Sequence, residues 1–306
     1  MKKLLLNILV IALLFFISDY FVFYLYKYKY NLSNGQSYIE NLTKEIATDN
    51  ADNKYMERVK YVFRKPINEE NGGKSIVLTG CSNIYGWGLN EKENISGQLS
   101  NYISNPIYNI SYPGWGLNNI LYLVKSRRFF EFVKKEPDII IYSWGDFHVQ
   151  RGIITLSPIE MNEFFYKLNN GKIERKTPPF FISRFAILAL LREKYVNYML
   201  NNNEQYAKRQ TELNKAEFIE FKHILQAKYP NAKFVILLMY DRPFYEKEYF
   251  NNFAKELENN DYKIINIPKD IGINIDDDKY RQKDGHPNAK YWEDVMPELA
   301  RKIVEF

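Results

Sequence analysis

An apolar run, SIVLT at 75–79, ends in GCSNIYGWG at 80–88. Ser82 and the chain's only cysteine, Cys81, stand side by side at what reads as a strand exit. A serine hydroxyl is a weak nucleophile at neutral pH and needs a base to take its proton. A thiolate is intrinsically stronger, so reactivity alone does not choose between the two. Near the other end of the chain, DGHPNAKYW at 284–292 sets Asp284 two residues before His286. A positioned histidine can carry out such a proton transfer and contributes about 10²–10⁴ in rate. A carboxylate on its second ring nitrogen would orient the ring and stabilise the imidazolium. Ser82, His286 and Asp284 therefore have the residue types of a serine-hydrolase relay. His286 taken alone also reads as a loop residue ahead of a helix. Cys81 is expected to turn into the packing, where a lone thiol usually resides.

Two further stretches end apolar runs in glycine and polar residues: SYPGWGLNN at 111–119 and SWGDFHVQR at 143–151. In the second, Asp146, His148 and Arg151 form either a hydrogen-bonded turn or a contact for a sugar hydroxyl or carboxylate. The Arg151 fork suits the latter. His223 lies in a helical pattern, FIEFKHILQ, and carries no chemistry.

Positioning these residues requires a sheet. Short, β-branched, nearly continuous apolar runs at 75–80, 107–111, 138–144, 233–240 and 263–267 predict strands covered on both faces. Helical patterns near 95–104, 117–134, 212–229, 246–259 and 289–304 separate or follow them. Such βαβ alternation predicts a parallel α/β sheet with right-handed crossovers. Sites in such sheets form beyond the C-terminal strand ends, where the quoted stretches fall. The region 152–213 breaks the rhythm. It reads as an insertion or lid that includes an amphipathic helix, SRFAILALLREKYVNYM, and packing is its simplest role.

The chain has 306 residues and a net charge of +5, with its basic residues dispersed. The dispersion argues against a nucleic-acid surface. One cysteine excludes an internal disulfide, and three histidines with no zinc-type spacing argue against a metal site. No cofactor is expected. At the N-terminus two lysines precede an apolar stretch from Leu4 to about Tyr26, long enough to span a bilayer. No small-x-small cleavage site follows it. Residues 1–27 are therefore expected to form a transmembrane signal anchor, 28–73 a stalk with a short helix around 38–46, and 74–306 the folded domain. The lysines predict a cytoplasmic N-terminus. The chain would then be a single-pass membrane protein with its domain on the periplasmic or extracellular side.

In order along the chain, G-x-S at a strand end, a glycine turn, a polar turn and Asp-x-His before the last helix resemble the SGNH (GDSL-type) hydrolase family, in particular its membrane-anchored bacterial branch. The resemblance covers roughly 74–151 and 230–306. It implies a flavodoxin-like three-layer α/β/α fold, Ser82 as nucleophile, His286 as base and Asp284 as its orienter. It also implies oxyanion donors from the N–H groups of Ser82 and Gly114. Two departures stand out. Many members place the Asp three residues before the His. The family's third-block Asn donor is missing from SWGDFHVQR, which leaves Asn118, Asn119 or the Gly145 N–H as substitutes. Loss of such a donor costs about 10²–10³ in rate. The implied activity is a serine esterase acting on O-acyl, above all O-acetyl, esters of a cell-envelope glycan. Alternatives are an O-acyltransferase that needs a membrane acyl-donor partner, a catalytically weak glycan-binding or assembly protein, and an unrelated flavodoxin-like domain. Against the last, GCSNIYG is neither a P-loop nor a dinucleotide fingerprint.

Overall fold

A computed structural model describes residues 10, 13–21, 63–151, 165–176 and 186–306. Five parallel strands form the main sheet: β1 (Ser75–Gly80), β2 (Ile107–Ser111), β3 (Pro137–Trp144), and two later strands at Lys233–Leu238 and Tyr262–Asn266. Between β3 and these, β4 (Phe165–Asn169) and β5 (Lys172–Lys176) form a separate antiparallel hairpin, so the later two are β6 and β7. The order in the main sheet is β2-β1-β3-β6-β7. The strand order therefore reverses between β1 and β3, which is where parallel sheets place their sites.

Alternate strand residues feed two cores. Val77, Ile140, Tyr142, Trp144, Phe234 and Ile236 face α3 (Leu117–Lys125), α7 (Glu204–Lys228) and α8 (Glu248–Asn259). Ile76, Leu78, Ile139, Ile141, Val235 and Leu237 face α1 (Ser82–Tyr85), α2 (Ile95–Leu99), α9 (Ile267–Ile271) and α10 (Ala289–Val304). The remaining helices are α4 (Phe129–Phe132), α5 (Asp146–Arg151) and α6 (Ala186–Asn202). The three-layer parallel architecture expected from the sequence is thus present. The expected helix over 117–134 is two helices, because Arg127 takes a positive φ of 64° between α3 and α4.

Three differences from the sequence reading have physical reasons. Described residues ahead of Lys74, in the stretch expected to be a stalk, already pack on the domain. Phe63 lies edge-on to Trp115 and Phe132, and Ile67 bridges to Ile107 on the β2 edge. Within 152–213 the described residues include the β4–β5 hairpin, whose charged KIERK strand hid its pattern. The hairpin packs on the α3–α7 layer, where the Arg175 guanidinium sits 4.8 Å from the Tyr122 ring centre and Tyr166 is buried. Helix α7 also starts earlier than expected, because the Asn203 side chain accepts the Tyr206 N–H and caps it. Of the expected anchor, residues 10 and 13–21 are described and helical. No helix among the described residues is long and apolar enough to cross a membrane. The short helix expected at 38–46 lies outside the described residues.

Trp144 at the end of β3 donates its indole N–H to Asn214 on α7 (3.1 Å), and Asn214 donates to Glu217 (3.4 Å). Glu217 is fully buried, and burial pushes its carboxyl up to about 8. The unfolded chain releases this proton near 4.5, whereas the folded chain holds it until about 8. Stability associated with Glu217 is therefore complete below 4.5 and is lost as pH rises to about 8. We expect urea unfolding to show a loss of about 2–4 kcal/mol between pH 5 and 8. In Glu217→Gln that slope should flatten.

Candidate active site

At the β1 exit the chain must turn sharply from strand to helix. Gly80 takes φ +148°, which only glycine adopts readily, and an added Cβ would lie 3.3 Å from the Ser143 carbonyl oxygen on β3. Cys81 follows in extended geometry (φ −105°, ψ −158°), and Ser82 opens α1. Cys81 is buried, 1% exposed. Ser82 is 6% exposed. Helix α1 is held from β2: the buried Asn109 side chain donates to the Ile84 carbonyl (2.7 Å) and to the Ser96 hydroxyl (3.0 Å) on α2.

The second half of the site lies 204 residues away, in the turn before α10. His286 Nε2 is 2.8 Å from Ser82 Oγ. His286 Nδ1 lies 3.0 Å from Asp284 Oδ2. That pair is within charge-contact distance, but its N–H direction is too oblique for a hydrogen bond. Such bonds are often poorly aligned before substrate binds. The other carboxylate oxygen, Oδ1, accepts the backbone N–H of His286 at 3.2 Å. One carboxylate thus fixes the backbone and faces the ring of the same residue, which is how a spacing of two suffices. Burial raises the Asp284 pKa. The backbone N–H of His286 and the charge of its ring beside the carboxylate more than offset this and hold the carboxyl below its ordinary 3.8.

A residue that the sequence reading missed joins the two halves. The Gln282 side-chain amide donates to the Trp87 carbonyl (2.7 Å) in the nucleophile loop and to the Pro287 carbonyl (2.8 Å) beside His286. Its backbone N–H donates to the His286 carbonyl (2.8 Å). The approach requires glycine at 88: at φ +75°, a Cβ there would sit 2.4 Å from Gln282 Oε1. Trp87 also sets its indole 6.4 Å from the imidazole, centre to centre. The only sequence signal was Gly88 itself, whose partner lies 195 residues from Trp87.

Of the other expected residues, some converge and some do not. Gly114 sits in the loop after β2, at φ +82°. This loop adjoins the nucleophile turn through a Tyr112 N–H bond to the Gly80 carbonyl (3.3 Å). Among the described residues the N–H groups of Ser82 and Gly114 have no acceptor, as oxyanion donors should before reaction. Asn119 instead accepts the Gly116 N–H at 3.0 Å and caps α3. Asn118 is fully buried, with neither amide atom partnered among the described residues. His148 is fully buried, its Nδ1 accepts the Gly145 N–H (3.1 Å) as in the hydrogen-bonded turn, and burial keeps it neutral. That bond also occupies the Gly145 N–H, which removes it as a substitute donor. Arg151 donates to the Trp115 carbonyl (3.1 Å) and stacks over Phe147. Asp146 stands where an amide donor was sought, and it is ion-paired with Arg242 from the β6 exit (2.9 Å). Burial raises the Asp146 pKa, and Arg242 partly offsets this. Among the described residues no group of three His, Cys, Asp or Glu side chains could hold a metal ion.

The arrangement can deprotonate a serine at a strand exit. We expect Gln282→Leu to lower ester turnover at least about tenfold, since small misplacements of a base are costly. Urea stability and Ser82→Ala controls run in parallel would separate misplacement from unfolding. Asn109→Leu leaves the Ile84 carbonyl unpartnered and should cost about 1–3 kcal/mol in the same urea assay.

No protein-family model and no curated protein matches the chain. Among solved structures it is similar to TesA, at 12% identity and a TM-score of 0.46, covering 75% of this chain and 98% of that one. It is similar to the acetyl xylan esterase Est2A from the rumen bacterium Butyrivibrio proteoclasticus, at 11% identity and a TM-score of 0.43, covering 77% of this chain and 64% of that one. A protein described as a putative lipolytic protein of the G-D-S-L family, from Desulfitobacterium hafniense, matches at 10% identity and a TM-score of 0.42, covering 75% and 99%. The chain thus spans just under two thirds of the length of the acetyl xylan esterase.

Proposed function

We propose that this chain is a serine esterase of SGNH type that cleaves O-acyl esters. The observation that carries the reading is the contact of Ser82 Oγ with His286 Nε2 at 2.8 Å, with Asp284 3.0 Å behind the ring. His286 takes the Ser82 proton as the hydroxyl attacks the ester carbonyl. The N–H groups of Ser82 and Gly114 receive the oxyanion. His286 then returns the proton to the leaving alcohol, leaving an acyl-serine. Water, activated by the same imidazole, resolves the acyl-serine to acid and free enzyme. Asp284 stabilises the imidazolium at each transfer. Resolution by a second sugar hydroxyl would give acyl transfer with the same residues. An O-acetylated cell-envelope glycan as substrate follows from the sequence resemblance and from the reading of residues 1–27 as a membrane anchor. Consistent with an anchor, Val10, Leu13, Leu14, Phe16, Ile17 and Phe21 are exposed.

Acetate release from 4-nitrophenyl acetate by the full chain tests the chemistry. Ser82→Ala and His286→Ala should lower turnover about 10⁴-fold or more, and Asp284→Asn somewhat less. Cys81→Ala should keep most of it. Loss with Cys81→Ala alone would reassign the nucleophile, and an inactive, folded wild type would sink the esterase reading. The anchor is tested by fractionation. The full chain should stay with membranes through alkaline carbonate washing, and release by that wash would refute a spanning segment.

A further inference from the structure

The ion pair at the rim of the site has more donors than its partner uses. Arg242 gives Nη1 to Asp146 Oδ1 at 2.9 Å. Its guanidinium lies flat enough on Tyr240 to place Cζ 4.3 Å from the ring centre. Tyr240 is itself fixed, since its hydroxyl accepts from the Asn83 side chain at 2.8 Å. Asn83 directly follows Ser82. A chain of contacts therefore runs from the nucleophile turn through Tyr240 to Arg242 and on to Asp146 at the β3 exit. The guanidinium is held on an edge and a face, and its side chain remains 35% exposed. Among the described residues its Nε and Nη2 have no acceptor. Arg151 borders the same tyrosine and acts on its charge together with Arg242. Asp241, the adjacent carboxylate, is exposed and pairs with neither arginine among the described residues. Free, pre-oriented guanidinium N–H groups, linked to the nucleophile turn through Tyr240 and Asn83, suit a planar or tetrahedral oxyanion.

We propose that Arg242, braced by Asp146 and Tyr240, is a specificity residue that binds an anionic group of the substrate, a carboxylate or a phosphate, next to the ester cleaved at Ser82. The inference rests on the esterase reading and narrows its substrate class to esters of acidic glycans. The brace matters because an arginine with few rotamers open to it loses little entropy when it takes up the anion. Asp146 thereby replaces an oxyanion donor in this chain with the support of a cation.

The test compares matched esters with the full chain. O-acetylated oligogalacturonides carry carboxylates, O-acetylated xylo-oligosaccharides are neutral, and an O-acetylated hexose phosphate supplies the phosphate arm. The ratio of kcat/KM for charged over neutral ester should exceed about 10 at low salt, carried mainly by KM, since a charge-assisted pair contributes about ten- to a hundredfold. It should shrink with added salt. In Arg242→Gln the ratio should fall toward one, and Arg242→Lys should restore part of it. Preference for the carboxylate or the phosphate ester identifies which anion the site takes. A wild-type ratio near one overturns the proposal. So does an Arg242→Gln variant that slows all three esters equally, which would make the arginine a brace only. Calorimetric binding of the same esters to Ser82→Ala reads the preference without turnover. If wild type cleaves nothing, a charged-over-neutral binding preference that vanishes in Ser82→Ala/Arg242→Gln still supports the anion site while the esterase reading fails. Equal binding of charged and neutral esters overturns the site itself.

Discussion

A 2.8 Å contact between two side chains 204 residues apart has to be held to a fraction of an ångström, and most of the architecture bears on it. The serine side is rigid because β1 is central, paired with β2 on one flank and β3 on the other. Its turn is squeezed by Ser143 and anchored from β2 by Asn109. The histidine side has no strand. It is a turn folded on itself, with Arg281 bridging Pro287, Asn288 capping α10, and Gln282 reaching across to the carbonyl of Trp87. Precision on that side comes from hydrogen bonds rather than from a sheet.

The same constraint accounts for the carboxylate. With Asp284 two positions before His286 rather than three, its carboxylate cannot approach the ring from a distance. It sits against the backbone of His286 and reaches the ring edge from there. The geometry is compact but oblique, so the alignment of this contact depends on how far the ring tilts when Ser82 gives up its proton.

Much of this was legible in the sequence because it is local. The limits of β1 and β2 coincide with their apolar runs, and α10 begins at Ala289 as its Asn288 cap predicts. Ser82, Asp284 and His286 were legible because each is one member of a short motif at an element end. What was hidden is long-range. Gln282 and Arg242 look like ordinary loop residues until the fold brings Trp87 and Asp146 to them. The burial of His148 was hidden for the same reason. The charged residues around it in SWGDFHVQR suggest a surface, but the fold packs it against the ring of Tyr142 from β3. The β4–β5 hairpin was missed because its strands are charged and half-exposed, with no alternation to read.

Arg64 lies in the segment ahead of β1. Its guanidinium donates to the carbonyls of Tyr85, Gly86 and Leu89, the loop that leaves the nucleophile helix, and it pairs with Glu91. Mechanically, this makes the segment ahead of β1 a grip on the active-site loop rather than a passive lead-in. A pull on this segment would therefore load the turn at Gly86 that follows Ser82, as well as the β2 edge that Ile67 bridges.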